Sequence, residues 1–419
     1  MVDLLYIAII AILVFNLLFN IILEQINLTR RSIVLPDLIS DVYDSDNYLK
    51  QQVYEKEKVR FSQFETIFSS ILIISFFSLK GFGYLQIAIS EYTTSLVVQT
   101  LLFFGILGFV SFILSLPFSY YDKFVIENKF GFNKSSKRLF VLDSIKTLLL
   151  SATIGGVFVG FLTWLYTINP NIFWIMALGV VLVFSLLMNA LYSTVILPLF
   201  NRKTPLQEGS LKQRVISFAE STGFSINNIY LLDGSKRTTK ANAFFTGFGR
   251  KKRVFLYDNL TQNLSEDEIV AVLAHELGHY KKHHIWINLF LGIVQSSVFL
   301  FLFNLISQST VFTQVMGGPV NSPIFYLNVI CFILLINPFE TILGILLNAI
   351  SRKMEYSADR YANNNGLGQD LGSALKKISS LNYSNLTPHP LYVIINYSHP
   401  TLYNRLRALN FENEPPKTI

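Results

Sequence analysis

The sequence predicts an all-α integral membrane protein of seven spans, with a small mixed α/β polar domain set between the fifth and the sixth. Composition, apolar run lengths and charge placement carry that prediction. The chain of 419 residues is 51% hydrophobic and only 15% charged, too apolar for an ordinary soluble domain. Runs at 4–23, 65–80, 97–117, 145–167, 172–199, 287–307 and 325–350 are long enough, or nearly so, to span a hydrocarbon core of ~30 Å. The second is the weakest, being short and followed by Lys80, Gly81 and Gly83. The first opens the chain but lacks a basic leader and a small-residue cleavage site, so it reads as a retained span.

Charge placement orients these spans. The segments 81–96, 168–171 and 308–324 contain no Lys or Arg, whereas 24–64, 119–146, 201–286 and 351–419 hold nearly all of them. Alternating spans put the two sets on opposite sides, and the positive-inside rule makes the basic set cytoplasmic. The net charge of +7 is then a consequence of topology. No nucleic-acid recognition motif is present, so no nucleic-acid partner is expected. One cysteine, Cys331, falls within the seventh run, so the fold does not depend on disulfides.

Four regions follow in order. Residues 1–200 hold spans one to five and 201–286 form a polar domain. Spans six and seven occupy 287–352, and 353–419 is a polar tail. Within the polar domain, Gln213 to Thr222 reads as a helix and Asn228 to Leu232 as a strand ending in an Asp233-Gly234 turn. Ala241 to Thr246 and Arg253 to Tyr257 read as two strands separated by a Gly/basic turn at 247–252. Ser265-Glu-Asp-Glu268 has the form of a capping box, starting a helix through Ile269, Val270, Val272 and Leu273.

That helix carries His275-Glu276-Leu277-Gly278-His279. Histidines at i and i+4 share a helix face, so their ring nitrogens can converge on one metal ion, with Glu276 placed to take a proton from water. Catalytic zinc needs a third protein ligand. His283 continues the series, but helix rise carries it ~12 Å from His275, too far to share an ion. The extended x-x-G-x-x-H class would need Gly and His where this chain has Lys282 and Ile285. Glu355 and Asp359, at i and i+4 after the seventh span, are better placed. One can ligate the metal while the other accepts a hydrogen bond from a ligand histidine. Spans six and seven form a hairpin, which returns both halves of the site to the same membrane face.

Taken in order, these residues resemble the type I CAAX prenyl protease family of integral-membrane zinc metalloproteases. The resemblance runs through Leu116-Pro-Phe-Ser119, Phe124-Val-Ile-Glu127, Gly131-Phe-Asn133 and Asp233-Gly-Ser-Lys-Arg237. It continues with Asn242-Ala-Phe-Phe245-Thr-Gly247, Ala271 to His279, Ser351-Arg352, Glu355-Tyr356, Ala358-Asp359, Ser398-His-Pro400 and Arg405-Leu406. It implies seven helices around a water-filled chamber, closed at the cytoplasmic end by a gluzincin-type protease domain. It implies one Zn²⁺ held by His275, His279 and Glu355 with Glu276 as general base, leaving Asp359 behind a ligand histidine. It further implies that Asn242, Ala243, Phe244 and Phe245 pair with substrate, and that His399 and Arg405 complete the catalytic site, His399 steadying the oxyanion. The implied substrate is a peptide or protein, C-terminally prenylated in the eukaryotic family, and the enzyme is expected to be a monomer in a lipid bilayer. The chain is short for a eukaryotic member, which favours a bacterial homologue in the inner (cell) membrane; the endoplasmic reticulum is the setting if it is eukaryotic.

Other readings weigh less. A quality-control metalloprotease would share the site, and a chamber protein clearing translocating chains would use the zinc structurally. Glu340, mid-span in Asn337-Pro-Phe-Glu340, is costly in lipid and is expected to face the chamber. A transporter would need repeat symmetry, which the chain does not show. His283 and His284 are expected in solvent or at headgroup level, and His389 in a structured loop.

Overall fold

The computed structural model describes residues 1–30, 34–224, 228–240, 242–246 and 253–411, with the backbone alone for 244–246. The predicted 247–252 turn lies outside the described residues. Among these, seven helices are long and apolar enough to cross a membrane: Val2–Leu28, Ser45–Ser78, Leu96–Lys129, Lys137–Ile168, Phe173–Phe200, His284–Ser307 and Phe325–Asn364. All seven expected spans are present, and several helices extend beyond their apolar runs. The second begins about twenty residues earlier than its run, because Asp44 caps its start by accepting from the Asn47 amide. The seventh runs 40 residues without a break through Pro338. Glu355 and Asp359 therefore stand on the same rigid rod as the membrane crossing, rather than on a separate element after it.

The spans do not pack as a solid bundle. In none of them is more than 11% of the most apolar stretch buried. Their close packing is concentrated near the ends that lack basic loops. There Ile9, Phe77, Phe82, Phe103, Tyr326 and Cys331 form one core, and Leu165, Tyr166, Phe173, Phe303 and Phe325 form another. Elsewhere Leu149, Val157 and Val183 are 62%, 71% and 65% exposed, so the spans leave large apolar side chains uncovered by protein. Between spans five and six, Ser185, Asn189, Asn288 and Ser296 line a cavity of ≈ 420 Å³. Glu340 is exposed in the middle of the seventh span.

The polar domain is built on a four-stranded sheet with order β1-β2-β4-β3, where β1 is Lys203–Pro205, β2 Asn228–Leu232, β3 Ala243–Thr246 and β4 Arg253–Tyr257. β2 and β4 run parallel, while β3 lies antiparallel to β4 with Ala243 opposite Leu256 and Thr246 opposite Arg253. β3 is thus an edge strand, and it lies against the motif helix Glu266–Lys281. The Ser265/Glu268 capping box forms as expected. The core under the sheet joins Val215, Ile229, Val254, Leu256, Leu260, Ile269, Leu273 and Ala374, which buries one face of the motif helix.

Ion pairs fasten this domain to the membrane helices. Arg237 donates through Nε and Nη2 to the Asp143 carboxylate, at 3.0 and 3.3 Å. Lys240 Nζ sits 3.0 Å from Glu127 Oε2, and Tyr54 donates to Glu127 Oε1 at 2.6 Å. Asn133 bridges Thr238, which explains the Gly131-Phe-Asn133 stretch: Gly131 takes φ +81°, a conformation suited to glycine, and turns the chain after span three onto the segment preceding β3.

Candidate metal centre

The motif helix and the C-terminal end of the seventh-span helix cross at Gly278. A Cβ there would lie 3.0 Å from Ala358 Cα and from Tyr361 Cβ, so glycine is what lets the two backbones touch. The contact brings three ligand-type side chains together. His275 Nε2 is 3.1 Å from His279 Nε2 and 3.4 Å from Glu355 Oε2, and His279 Nε2 is 3.3 Å from Glu355 Oε1. Ligand atoms about 2.0–2.1 Å from a tetrahedral zinc stand roughly 3.3–3.4 Å from one another, so these separations already describe one face of such a site. Glu355 Oε2 is buried and accepts no hydrogen bond. His399 Nδ1 lies 2.9 Å away. An orphaned, buried carboxylate oxygen beside two imidazole nitrogens fits a cation.

The surrounding groups fix the ligands. His275 Nδ1 stands 2.8 Å from Asp359 Oδ1, which orients the ring and leaves Nε2 free for the metal. Asp359 is gripped by Arg405, whose Nε and Nη2 donate at 2.9 and 2.6 Å. Burial pushes His275 toward neutrality, but Asp359 and Glu355 outweigh it and raise its pKa to about 9. The site therefore favours a positive charge at this point, a proton or a metal in competition. Arg405 is itself held more firmly charged than usual: burial opposes this, and the Asp359 carboxylate more than offsets it.

The structure brings His275, His279, Glu355, Asp359, His399 and Arg405 into one cluster. Glu276 is half-buried one position along the motif helix, and His399 stands at the open side with its side chain 64% exposed. Arg405 lies within the cluster as expected of a residue that completes the site: it donates to Asp359, with Nη2 3.9 Å from Glu355. Asn242 is exposed at the start of β3, with its side-chain oxygen accepting from the Ala243 amide; Ala243, Phe244 and Phe245 follow along the edge. The loop carrying His399 is pinned by Arg352, which donates to the Tyr397 carbonyl at 2.6 Å. His389 caps the helix Pro390–Asn396 by accepting from the Leu391 amide, as a loop residue should.

Two residues escaped the sequence reading. Gly278 was visible in the motif, but its partner helix was not. His284, expected in solvent, is buried beside His279, with their Nδ1 atoms 2.9 Å apart. The motif helix ends at Lys281 and His283 takes φ +59°. That turn exposes His283 and folds His284 inward, against simple i, i+4 continuation.

Seven membrane helices, an H-E-x-x-H helix and a glutamate from a second helix define an integral-membrane metallopeptidase. Residues 24–202 match the family described as CAAX prenyl protease N-terminal, five membrane helices, and residues 205–412 match peptidase family M48. The chain is 34% identical to CAAX prenyl protease 1 of Saccharomyces cerevisiae, over 91% of this chain and 90% of that one. It is 33% identical to the Arabidopsis thaliana homologue, with 91% of each chain covered. The crystal structure of S. mikatae Ste24p superposes with a TM-score of 0.91 at 34% identity, covering 97% of this chain and 98% of that one. The chain belongs to the CAAX prenyl protease family of M48 metallopeptidases, and is a membrane zinc metalloendopeptidase with that family's chamber-forming fold. These relatives are eukaryotic and are matched over nearly their whole length, so the length of the chain is no sign of a bacterial origin.

Proposed function

We propose that this chain removes C-terminal residues from prenylated C-a-a-X substrates at the cytoplasmic face of the endoplasmic reticulum membrane, using one zinc ion held by His275, His279 and Glu355. The family supports the reaction type, the eukaryotic relatives support the membrane, and the basic loops support the sidedness. The observation that carries the site is the near-tetrahedral spacing of the three ligand atoms. When bound, zinc supplies a Lewis acid that polarises a carbonyl and acidifies water. Glu276 then takes the proton of the attacking water and delivers it to the leaving amine. The open edge of β3 receives the substrate backbone as an added strand, with Asn242 at its end. His399, exposed at the mouth, donates to the developing oxyanion. Arg405 and Asp359 hold the His275 ring throughout.

The test uses purified protein in detergent and paired C-a-a-X peptides, one farnesylated and one not, with and without a zinc chelator. Chelator-sensitive cleavage favouring the farnesylated peptide is expected. Glu276→Gln should keep its zinc and lose about 10²–10⁴-fold in rate; retained activity would sink the assignment. Equal cleavage of both peptides would favour a general membrane-protein protease, a use the sequence-tolerant strand edge also permits.

A further inference from the structure

The two histidine ligands are braced by different chemistry. His275 is backed by an anion, Asp359, which Arg405 neutralises. His279 is backed by a second histidine. His279 Nδ1 and His284 Nδ1 are 2.9 Å apart, and the two rings meet edge to face at 5.0 Å and 74°. His284 Nε2 in turn lies 3.3 Å from Ser357 Oγ. His284 is buried, at 5% exposure.

We infer that His284 is a positioning residue for the metal centre, its Nδ1 accepting a hydrogen bond from the His279 Nδ1–H and its Nε2–H donating one to Ser357 Oγ. This rests on His279 being a metal ligand, as proposed above. If His279 Nε2 gives its lone pair to a metal, its Nδ1 must carry the proton. Two imidazole nitrogens at hydrogen-bond distance must pair one N–H with one lone pair, so His284 Nδ1 is unprotonated. A neutral His284 then carries its proton on Nε2, where Ser357 Oγ accepts it. One tautomer of each ring satisfies all three groups.

The seventh-span helix thus supplies the ligand Glu355, the partner of His275 in Asp359 and, through His284, the terminus of the relay from His279 in Ser357. The choice of a neutral acceptor has a chemical consequence. A carboxylate behind His279 would add a further negative charge beside Glu355, Asp359 and Glu276. An imidazole orients the ligand without reducing the electrophilicity of the ion. His283 at positive φ makes this possible, because it places residue 284 rather than 283 against the His279 ring.

The test measures zinc affinity of the full-length protein in detergent by competition with a chromophoric chelator, alongside thermal unfolding of the metal-free protein. His284→Phe keeps the ring volume and removes the acceptor. It should lower zinc affinity about 10–100-fold, the usual cost of losing a ligand's outer partner, while the metal-free melting curve stays close to wild type. His284→Asn, whose side-chain oxygen can accept at the Nδ1 position, should recover most of that affinity. Wild-type zinc affinity in His284→Phe would overturn the proposal. So would His284→Asn binding no better than His284→Phe, since the residue would then act by packing alone. His279→Ala separates the two levels: if it binds zinc like wild type, the metal site itself is misassigned and the relay falls with it.

Discussion

At the scale of single residues, the site depends on Asp359. It accepts from His275 and twice from Arg405 at 1% exposure. Asp359→Asn keeps the volume but removes the charge, leaving Arg405 buried beside a neutral amide. Breaking a buried ion pair on one side costs about 3–5 kcal/mol. We expect a lower melting temperature and a loss of zinc affinity of about 10–100-fold, read by calorimetry and metal analysis. Normal zinc binding in that variant would show that His275 is oriented by something else. Spacing alone left Glu355 and Asp359 open as to which was ligand and which was partner. In the structure Glu355 faces both His Nε2 atoms, while Asp359 faces His275 Nδ1, which supports Glu355 as the ligand.

At the scale of elements, two helices make the site and one glycine sets their separation. The Cβ of Gly278→Ala would stand 3.0 Å from the backbone of a 40-residue helix, which would have to give way by a few tenths of an ångström. Overpacking of this kind costs about 1–3 kcal/mol, and it should weaken zinc binding because the ligands sit on opposite sides of that contact. Unchanged stability and affinity would mean the helices can slide apart without loss. The start of the motif helix gives a pH-dependent prediction. Burial pushes the Glu268 carboxyl up, but Lys377, Ser373 and the Ser265 amide outweigh it and hold its pKa below the ordinary range. A carboxylate lowered in the folded state contributes stability above its unfolded pKa of about 4.3 and loses it as pH falls through the folded value. Wild type should therefore melt higher than Glu268→Gln at neutral pH, and the gap should close on acidification below about pH 4. A gap that persists in acid would assign the effect to packing. The capping box itself was legible, because it is local. The helix crossing was not, because Gly278 and Ala358 are distant in the chain.

At the scale of the whole molecule, charge placement leads us to expect the site on the cytoplasmic side, and thiol labelling tests it. Cys331 is buried and should leave little labelling background. Lys282→Cys and Asn321→Cys place thiols at exposed positions on opposite ends of span six and its following loop. An impermeant maleimide applied to sealed vesicles of known orientation should label Lys282→Cys from the cytoplasmic face and Asn321→Cys from the other. Labelling of both from one side would refute the span count between them.

The sequence by itself determined the seven spans, their orientation signal, the strands of the polar domain and the histidine pair, because each depends on composition or on spacing within about one turn or one strand. The edge position of β3, the different placements of Glu355 and Asp359, the contact of Arg405 with Asp359, the close approach at Gly278 and the inward turn of His284 were decided only by tertiary structure. Those depend on which distant helices meet and at what separation. Local periodicity places a side chain on a face; what that face touches is settled by packing.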